Sequence, residues 1–289
     1  MIVAARDSQG QLDGLLACLE AQTLPRSSWE LIVVDDGSPV PLSADRADRI
    51  IRVDSPGGPY SARNRGLEVA QGSRIAITDS DCRPRAGWLD AIVKALDDAD
   101  MAAGAIHVTV GESPGIAERI DAARNLDQRS YAGNGFAAFA NFACRRAVIA
   151  AVGPFNGRLV SNGDREFCMR ATEAGFSLEY VPNAVVEHSA LRGVRALAGR
   201  SFRLGRGRAQ TARLGDGPAR QGRRNWLPLR SYLPSGGTSG VEYVLVGIPL
   251  AAGYAVGAVE ARLGGRSVTS RPQSAKSLQQ PRRARRTRR

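Results

Sequence analysis

Two short segments carry residue types that can do chemistry at the spacing that chemistry needs. Val33-Val34-Asp35-Asp36-Gly37-Ser38 ends an apolar run in two carboxylates, a glycine and a hydroxyl. Carboxylates placed there can accept from the imide and ribose hydroxyls of a nucleoside; the same residues also suit an Asx turn leading out of a strand. Thr78-Asp79-Ser80-Asp81 ends a second apolar run. Alternate residues of an extended segment point the same way, so Asp79 and Asp81 can converge on one hard cation. Magnesium or manganese held by one or two carboxylates and a diphosphate is the usual arrangement.

Both segments need a scaffold that delivers them to one edge. Ile2 to Ala5, Leu31 to Val34, Ile50 to Val53 and Ile75 to Thr78 read as strands. Between and after them, Leu12, Leu15, Leu16 and Leu19, then Ala62, Leu67 and Ala70, then Trp88, Ile92, Val93 and Leu96 recur at helical spacing. Alternation of this kind predicts an α/β fold with a mostly parallel, Rossmann-like sheet and ligands at the carboxyl ends of its strands. Further on, Phe139 to Cys144 reads as a strand, Arg145 to Val152 as a short helix, and Asp164 to Ala174 as a helix closed by Gly175. Leu178 to Val181 and Val185 to Glu187 read as two short strands.

Charge divides the chain. Its 289 residues carry a net charge of +12, from 40 basic and 28 acidic side chains. Residues 1–189 hold 19 basic and 25 acidic side chains, residues 190–289 hold 21 and 3. That pattern argues against a globally basic nucleic-acid-binding protein and for an acidic domain with a basic appendage. The expected organisation is a catalytic domain at 1–189, an Arg/Gly-rich linker at 190–240, an apolar helix at 241–261 and a disordered basic tail at 262–289. Within the third part, Tyr243 to Val259 runs uncharged. It is long enough to span a bilayer at the lower limit, and it equally suits an interfacial segment or a buried helix. Flanking arginines favour contact with anionic lipid. The basic tail lacks the interleaved aromatics that stack bases, so no nucleic-acid partner is expected.

The order of these motifs resembles the family 2 glycosyltransferases, with the GT-A fold, over roughly residues 1–208. Val34-Asp35-Asp36-Gly37-Ser38 is similar to the nucleoside-binding segment, and Ala5-Arg6 stand where the family has its first-strand turn. Ser61-Ala62-Arg63-Asn64-Arg65-Gly66 is similar to the A-R-N-x-G helix start that lines the nucleotide-sugar site. Asp79-Ser80-Asp81 resembles the D-x-D metal motif. Asn162-Gly163-Asp164-Arg165-Glu166-Phe167, with Arg170, resembles the segment supplying the base, although Gly163 stands where Glu is common. His188 matches a histidine that in several members helps hold the metal or diphosphate. Arg203-Leu204-Gly205-Arg206-Gly207-Arg208-Ala209 is similar to a basic stretch of membrane-associated members.

What the resemblance implies is an inverting transfer of a sugar from a nucleotide-sugar donor to an acceptor hydroxyl of a glycan, lipid or small molecule. Nucleotide-sugar contacts then fall to Ala5, Arg6, Asp35, Asp36, Gly37, Arg63, Asn64, Asp79 and Ser80. A divalent metal, magnesium or manganese, falls to Asp79, Asp81 and His188. Asp164 is the implied base, with Glu166 as the fallback. Read singly, Asp164 also suits a helix N-cap, Arg63 and Arg65 solvated charges, and His188 a structural role. A nucleotide-sugar-forming nucleotidyltransferase and a non-catalytic scaffold of the same fold stay open as alternatives. Four scattered cysteines without a C-x-x-C pair, and no secretory signal before Arg6 and Asp7, predict a reduced, cytoplasmic domain at the inner face of the cell membrane.

Overall fold

A computed structural model describes residues 1–124, 126–214 and 240–264. Strands form where apolar and β-branched residues run together. Four of them, β1 (Ile2–Ala5), β2 (Ile32–Asp35), β3 (Arg49–Arg52) and β4 (Arg74–Asp79), lie parallel. The helices α1 (Gln9–Glu20) and α2 (Pro59–Val69) make the crossovers. After β4 come β5 (Cys82–Pro84), α3 (Trp88–Ala95), β6 (Met101–Thr109), α4 (Ile116–Arg124) and α5 (Gln128–Gly133). Next are β7 (Asn141–Arg145), α6 (Arg146–Val152), α7 (Gly163–Glu173) and β8 (Leu178–Ser189). The last described elements are α8 (Val194–Leu214), a short helical turn at Gly240–Glu242 running through a π-helical turn at Tyr243–Gly247, and α9 (Ile248–Gly264).

Among the described residues the strands make one sheet in the order β3-β2-β1-β4-β7-β6-β8-β5. Strand β7 runs against β4 and β6, and β5 runs against β8; the remaining pairs are parallel. The sheet is therefore mostly parallel, as the sequence predicts, with two reversed strands. One face is covered by Leu12, Leu15, Leu16 and Leu19 of α1 with Trp88 and Ile92 of α3. Phe139, Phe142, Phe155 and Phe167 fill the other, their rings meeting edge-on or stacked.

Three sequence expectations change. Leu178–Ser189 is one long strand, not two short ones. The strand β6 was not expected, because Met101-Ala102-Ala103-Gly104-Ala105 lacks bulk. Small residues are needed there: the buried Asn141 side chain lies against Gly104, donating to the carbonyls of Ala105 and Ala184 at 2.8 Å each. Its Oδ1 accepts from the Trp88 indole at 2.8 Å. Finally, the stretch assigned to a linker at 190–240 contains α8, which buries Leu197, Ser201, Gly205, Gly207 and Ala209. Residues 215–239 of that linker, and the basic tail beyond residue 264, lie outside the described residues.

The fold is anchored by these buried polar contacts as well as by its apolar faces. Asn141→Ala leaves two carbonyls and one indole N–H buried without partners, each costing about 1–3 kcal/mol. Urea unfolding of this variant is expected to show a loss of at least about 3 kcal/mol.

Candidate active site

The carboxyl ends of β1 and β2 form one corner. Asp35 is buried and accepts from the backbone N–H groups of Ser38 (2.9 Å) and Leu42 (3.2 Å), and it pairs with Arg52 of β3 at 2.7 Å. Burial pushes its carboxyl up, but the Ser38 and Leu42 donors and the Arg52 charge hold it below the ordinary value. Asp36 accepts from Gly57 at 2.8 Å and Gly58 at 2.9 Å, tying down the turn that opens α2. The Ser38 hydroxyl accepts from the Asp7 N–H at 2.9 Å, and Ala5 accepts from the Asp36 N–H at 2.9 Å. Ala5, Arg6, Asp35, Asp36 and Gly37 are thus brought together, with both carboxylates occupied in shaping the corner. Arg6 stays half-exposed beside Asp7.

Across the corner, β4 delivers Asp79. Arg63 of α2, 4% exposed, reaches it at 2.5 Å and lies against the edge-to-face pair of rings formed by Tyr60 and Phe139. Asp81 lies 3.4 Å from His188 Nε2. That meeting is made by the sheet, since Cys82 of β5 pairs with His188 of β8. Burial raises the Asp81 carboxyl, and the Asp79 charge adds to this, while His188 opposes both. Ser80 contacts the Ser8 hydroxyl at 3.2 Å.

The residues of the A-R-N-x-G stretch each have a distinct neighbour. Ala62 is buried against the sheet, and a side chain at Gly66 would meet Ile2 at 2.6 Å. Asn64 makes two hydrogen bonds with the backbone of Phe155, at 2.7 and 3.0 Å. Asn64 therefore fastens α2 to the loop before α7 rather than facing the open corner.

Helix α7 brings the fourth group. Asp164 stands in its first turn and accepts from the Arg165 N–H at 2.8 Å. A helix N-terminus favours the anion, yet burial prevails and raises the carboxyl, with Asp79 adding and the Arg165 N–H and Arg63 opposing. Gly163 has a spatial cause. A Cβ there would lie 2.7 Å from the buried Tyr60 ring, so the Glu common at this position has no room. Glu166, expected as the fallback base, is committed elsewhere: it pairs with Arg170 at 2.6 Å, and Arg170 also holds the carbonyls of Val152 and Pro154. Tyr131 and Phe136 stack at 4.7 Å, and Arg165 lies over Phe136. Nothing in the type or spacing of Tyr60, Arg52 or Ser8 marks them in the sequence.

The expected metal set of Asp79, Asp81 and His188 is split into two pairs. Among the described residues no three His, Cys, Asp or Glu side chains form a metal-holding cluster. The donors nevertheless suit a hard cation. Two carboxylates share one strand end, Asp81 is disfavoured as an anion there, and His188 Nδ1 is buried without a partner. Ions of this kind take one or two carboxylates and complete their shell with phosphate oxygens and water.

Residues 1–153 match the family described as Glycosyl transferase family 2. The chain belongs to this family. The glycosyltransferase AglE of Haloferax volcanii is 32% identical over 215 residues, covering 69% of this chain and 70% of that protein. A pre-mycofactocin glycosyltransferase of Mycobacterium tuberculosis is 32% identical over 173 residues, 55% of this chain and 37% of that one. Among solved structures, the mannosyltransferase PcManGT from Pyrobaculum calidifontis, in complex with GDP-Man and Mn2+, superposes with a TM-score of 0.58 at 16% identity. It covers 92% of this chain and 75% of its own. S. aureus TarS 1–349 in complex with UDP-GlcNAc gives 0.50 at 18% identity, over 70% and 65%. This glycosyltransferase has the GT-A fold, and family membership sets aside the nucleotidyltransferase alternative.

The close fit of Tyr60 on Gly163 makes a direct test of how the glycosyltransferase seats α7. Gly163→Ala should cost about 1–3 kcal/mol by overpacking. Adding Tyr60→Leu should recover part of that loss, read as the midpoint of urea unfolding of both variants.

Proposed function

We propose that this glycosyltransferase moves a sugar from a nucleoside-diphosphate sugar to an acceptor hydroxyl by direct displacement with inversion, with Asp164 as base. The observation that carries this reading is the position of Arg63. One buried guanidinium pairs with Asp79 and is near enough to Asp164 to oppose part of the rise that burial imposes on it, which supports placing the metal-side and base-side carboxylates in one site. The nucleotide-sugar complexes of the solved neighbours support the choice of donor.

The corner of Ala5, Arg6, Asp35, Asp36 and Gly37 would receive the nucleoside, Asp35 and Asp36 acting by holding the two turns that form it. Asp79 and Asp81, with His188, would hold a magnesium or manganese ion, which when bound supplies Lewis-acid neutralisation of the diphosphate. Arg63, packed against two rings, would keep Asp79 in place. Asp164 accepts the proton of the acceptor hydroxyl as that oxygen attacks the anomeric carbon, and the diphosphate departs with the bonding pair. Its raised pKa makes it a better proton acceptor than an ordinary aspartate, since basicity nearer neutrality suits general-base work. Glu166 remains bound to Arg170. The acidic domain and the basic, apolar C-terminal part support a cytoplasmic enzyme at the inner membrane face, acting on a cell-envelope glycan or glycolipid acceptor.

Three outcomes test this. In a panel of nucleotide-sugars, one donor should stabilise the protein with manganese and less without it; saturation at 100 times Kd adds about 2.7 kcal/mol. Paired Asp79→Ala, Asp81→Ala should abolish the metal-dependent part of that shift and of turnover while the unfolding transition stays cooperative. Full activity in this variant would overturn the metal assignment. Asp164→Asn should lower kcat by about 10²–10⁴-fold with donor stabilisation unchanged. A base works only when deprotonated, so activity should fall as pH drops through a value above about 3.9, the ordinary aspartate pKa. That acid limb should be missing from the residual activity of Asp164→Asn.

A further inference from the structure

Helix α9 has two unlike faces. Its inner face is keyed into α8 by glycines: a side chain at Gly253 would collide with the Phe202 carbonyl, one at Gly257 with that of Arg206, and one at Gly205 with that of Leu250. Arg206 and Glu260 close the contact with two hydrogen bonds, at 2.8 and 3.0 Å. The outer face repeats Ile248, Ala252, Ala255 and Val259 at spacings of three and four, all exposed, and Val244 of the π-helical turn Tyr243–Gly247 just before it is exposed as well; Val244, Ile248 and Val259 show 56%, 49% and 52% of their surface. That is one continuous apolar stripe with no partner among the described residues.

By length and composition Val244–Arg262 could cross a bilayer. The packing argues otherwise. The successive contacts of Phe202 with Gly253, Arg206 with Gly257 and Arg206 with Glu260 show α8 running alongside α9 in the same direction. Helix α8 carries Arg195, Arg200, Arg203, Arg206, Arg208 and Arg213 and no acidic residue. A spanning α9 would take those arginines into hydrocarbon or strip the glycine contacts. Helix α8 is also fastened to the catalytic domain. Arg200 pairs with the fully buried Asp121 of α4, whose other oxygen accepts from Leu191 at 2.8 Å, and Gly207 leaves room for the Ser161 carbonyl just before α7.

We propose that α9 lies in the plane of an anionic lipid bilayer, its outer stripe seated at the headgroup–acyl boundary, and does not cross it. Apolar stripe and basic surroundings match the chemistry of such a surface, where aliphatic side chains enter the acyl boundary and arginines meet anionic headgroups. Residues 262–289 add ten basic and no acidic side chains to the same end of the sequence. The inference deepens the membrane-face reading above. Vesicle binding and sugar transfer are measured separately, so either can fail alone.

The test uses the purified full chain in a Cys18→Ser background, because Cys82, Cys144 and Cys168 are buried and take no label. Val244→Cys, Ala252→Cys and Val259→Cys each carry an environment-sensitive fluorophore. Preformed vesicles of phosphatidylglycerol and phosphatidylcholine contain lipid with a quencher either near the headgroup or deep in the chain. The shallow quencher should dominate at all three positions, and vesicles of phosphatidylcholine alone should bind more weakly. Ile248→Glu with Val259→Glu should weaken vesicle binding by about tenfold or more, leaving thermal unfolding unchanged. Deep quenching at Ala252 with shallow ends would mean that α9 crosses, and would overturn the proposal. Absence of vesicle binding would also overturn it, leaving a second copy or another protein as the cover of the stripe.

Discussion

Arg63 is a guanidinium held almost wholly out of water, and the site is arranged around making that tolerable. An unpaired buried charge costs several kcal/mol, so the group must find a carboxylate, and Asp79 is the one it meets. The mutually contacting rings of Tyr60 and Phe139 shield one side of it. Each of these partners has a second duty. Tyr60 sets the approach of α7 through Gly163, Phe139 belongs to the aromatic core, and Asp79 ends the central strand β4. A rotation of α2 would therefore disturb the surroundings of Asp79 and of Asp164 together.

The carboxylates of the site divide into those that are satisfied and those that are not. Asp35 and Glu166 are each paired with an arginine, and Asp36 with two backbone donors. Asp81 and Asp164 are instead pushed toward the neutral form by burial and by a neighbouring negative charge. Perturbed groups of this second kind concentrate where chemistry is done. The same distinction separates residues that build the corner from residues left with capacity for a ligand.

Much of the β1, β2 and β4 corner was legible in the sequence because its strands are continuous apolar runs, two of which end in unusual polar residues. The carboxylates of β2 and β4 fall where the parallel sheet predicts them. The legibility ends where burial is achieved with small side chains. Strand β6 is rich in alanine and has Gly104 where Asn141 packs, and α8 buries Leu197, Ser201, Gly205 and Ala209, a stripe without the bulk that helical periodicity rewards. Contacts between distant segments were equally hidden. The Asn64 clamp on Phe155 and the pairing that sets His188 beside Asp81 depend on strand register, which no local pattern reports.

Strand β7 joins two parts of the sheet that the chain makes at different times. It fills the slot between β4 and β6, bonded on both edges, and it follows β4 by about sixty residues. A ribosome adding roughly 5–20 residues per second takes several seconds to cover that interval. Until then β4 presents an open edge carrying Ile75, Ala76 and Ile77, all buried in the finished protein. An exposed edge of this kind templates pairing with other chains. The nascent polypeptide thus has a window of vulnerability to self-association, set by strand order, that closes when its one doubly bonded reversed strand arrives.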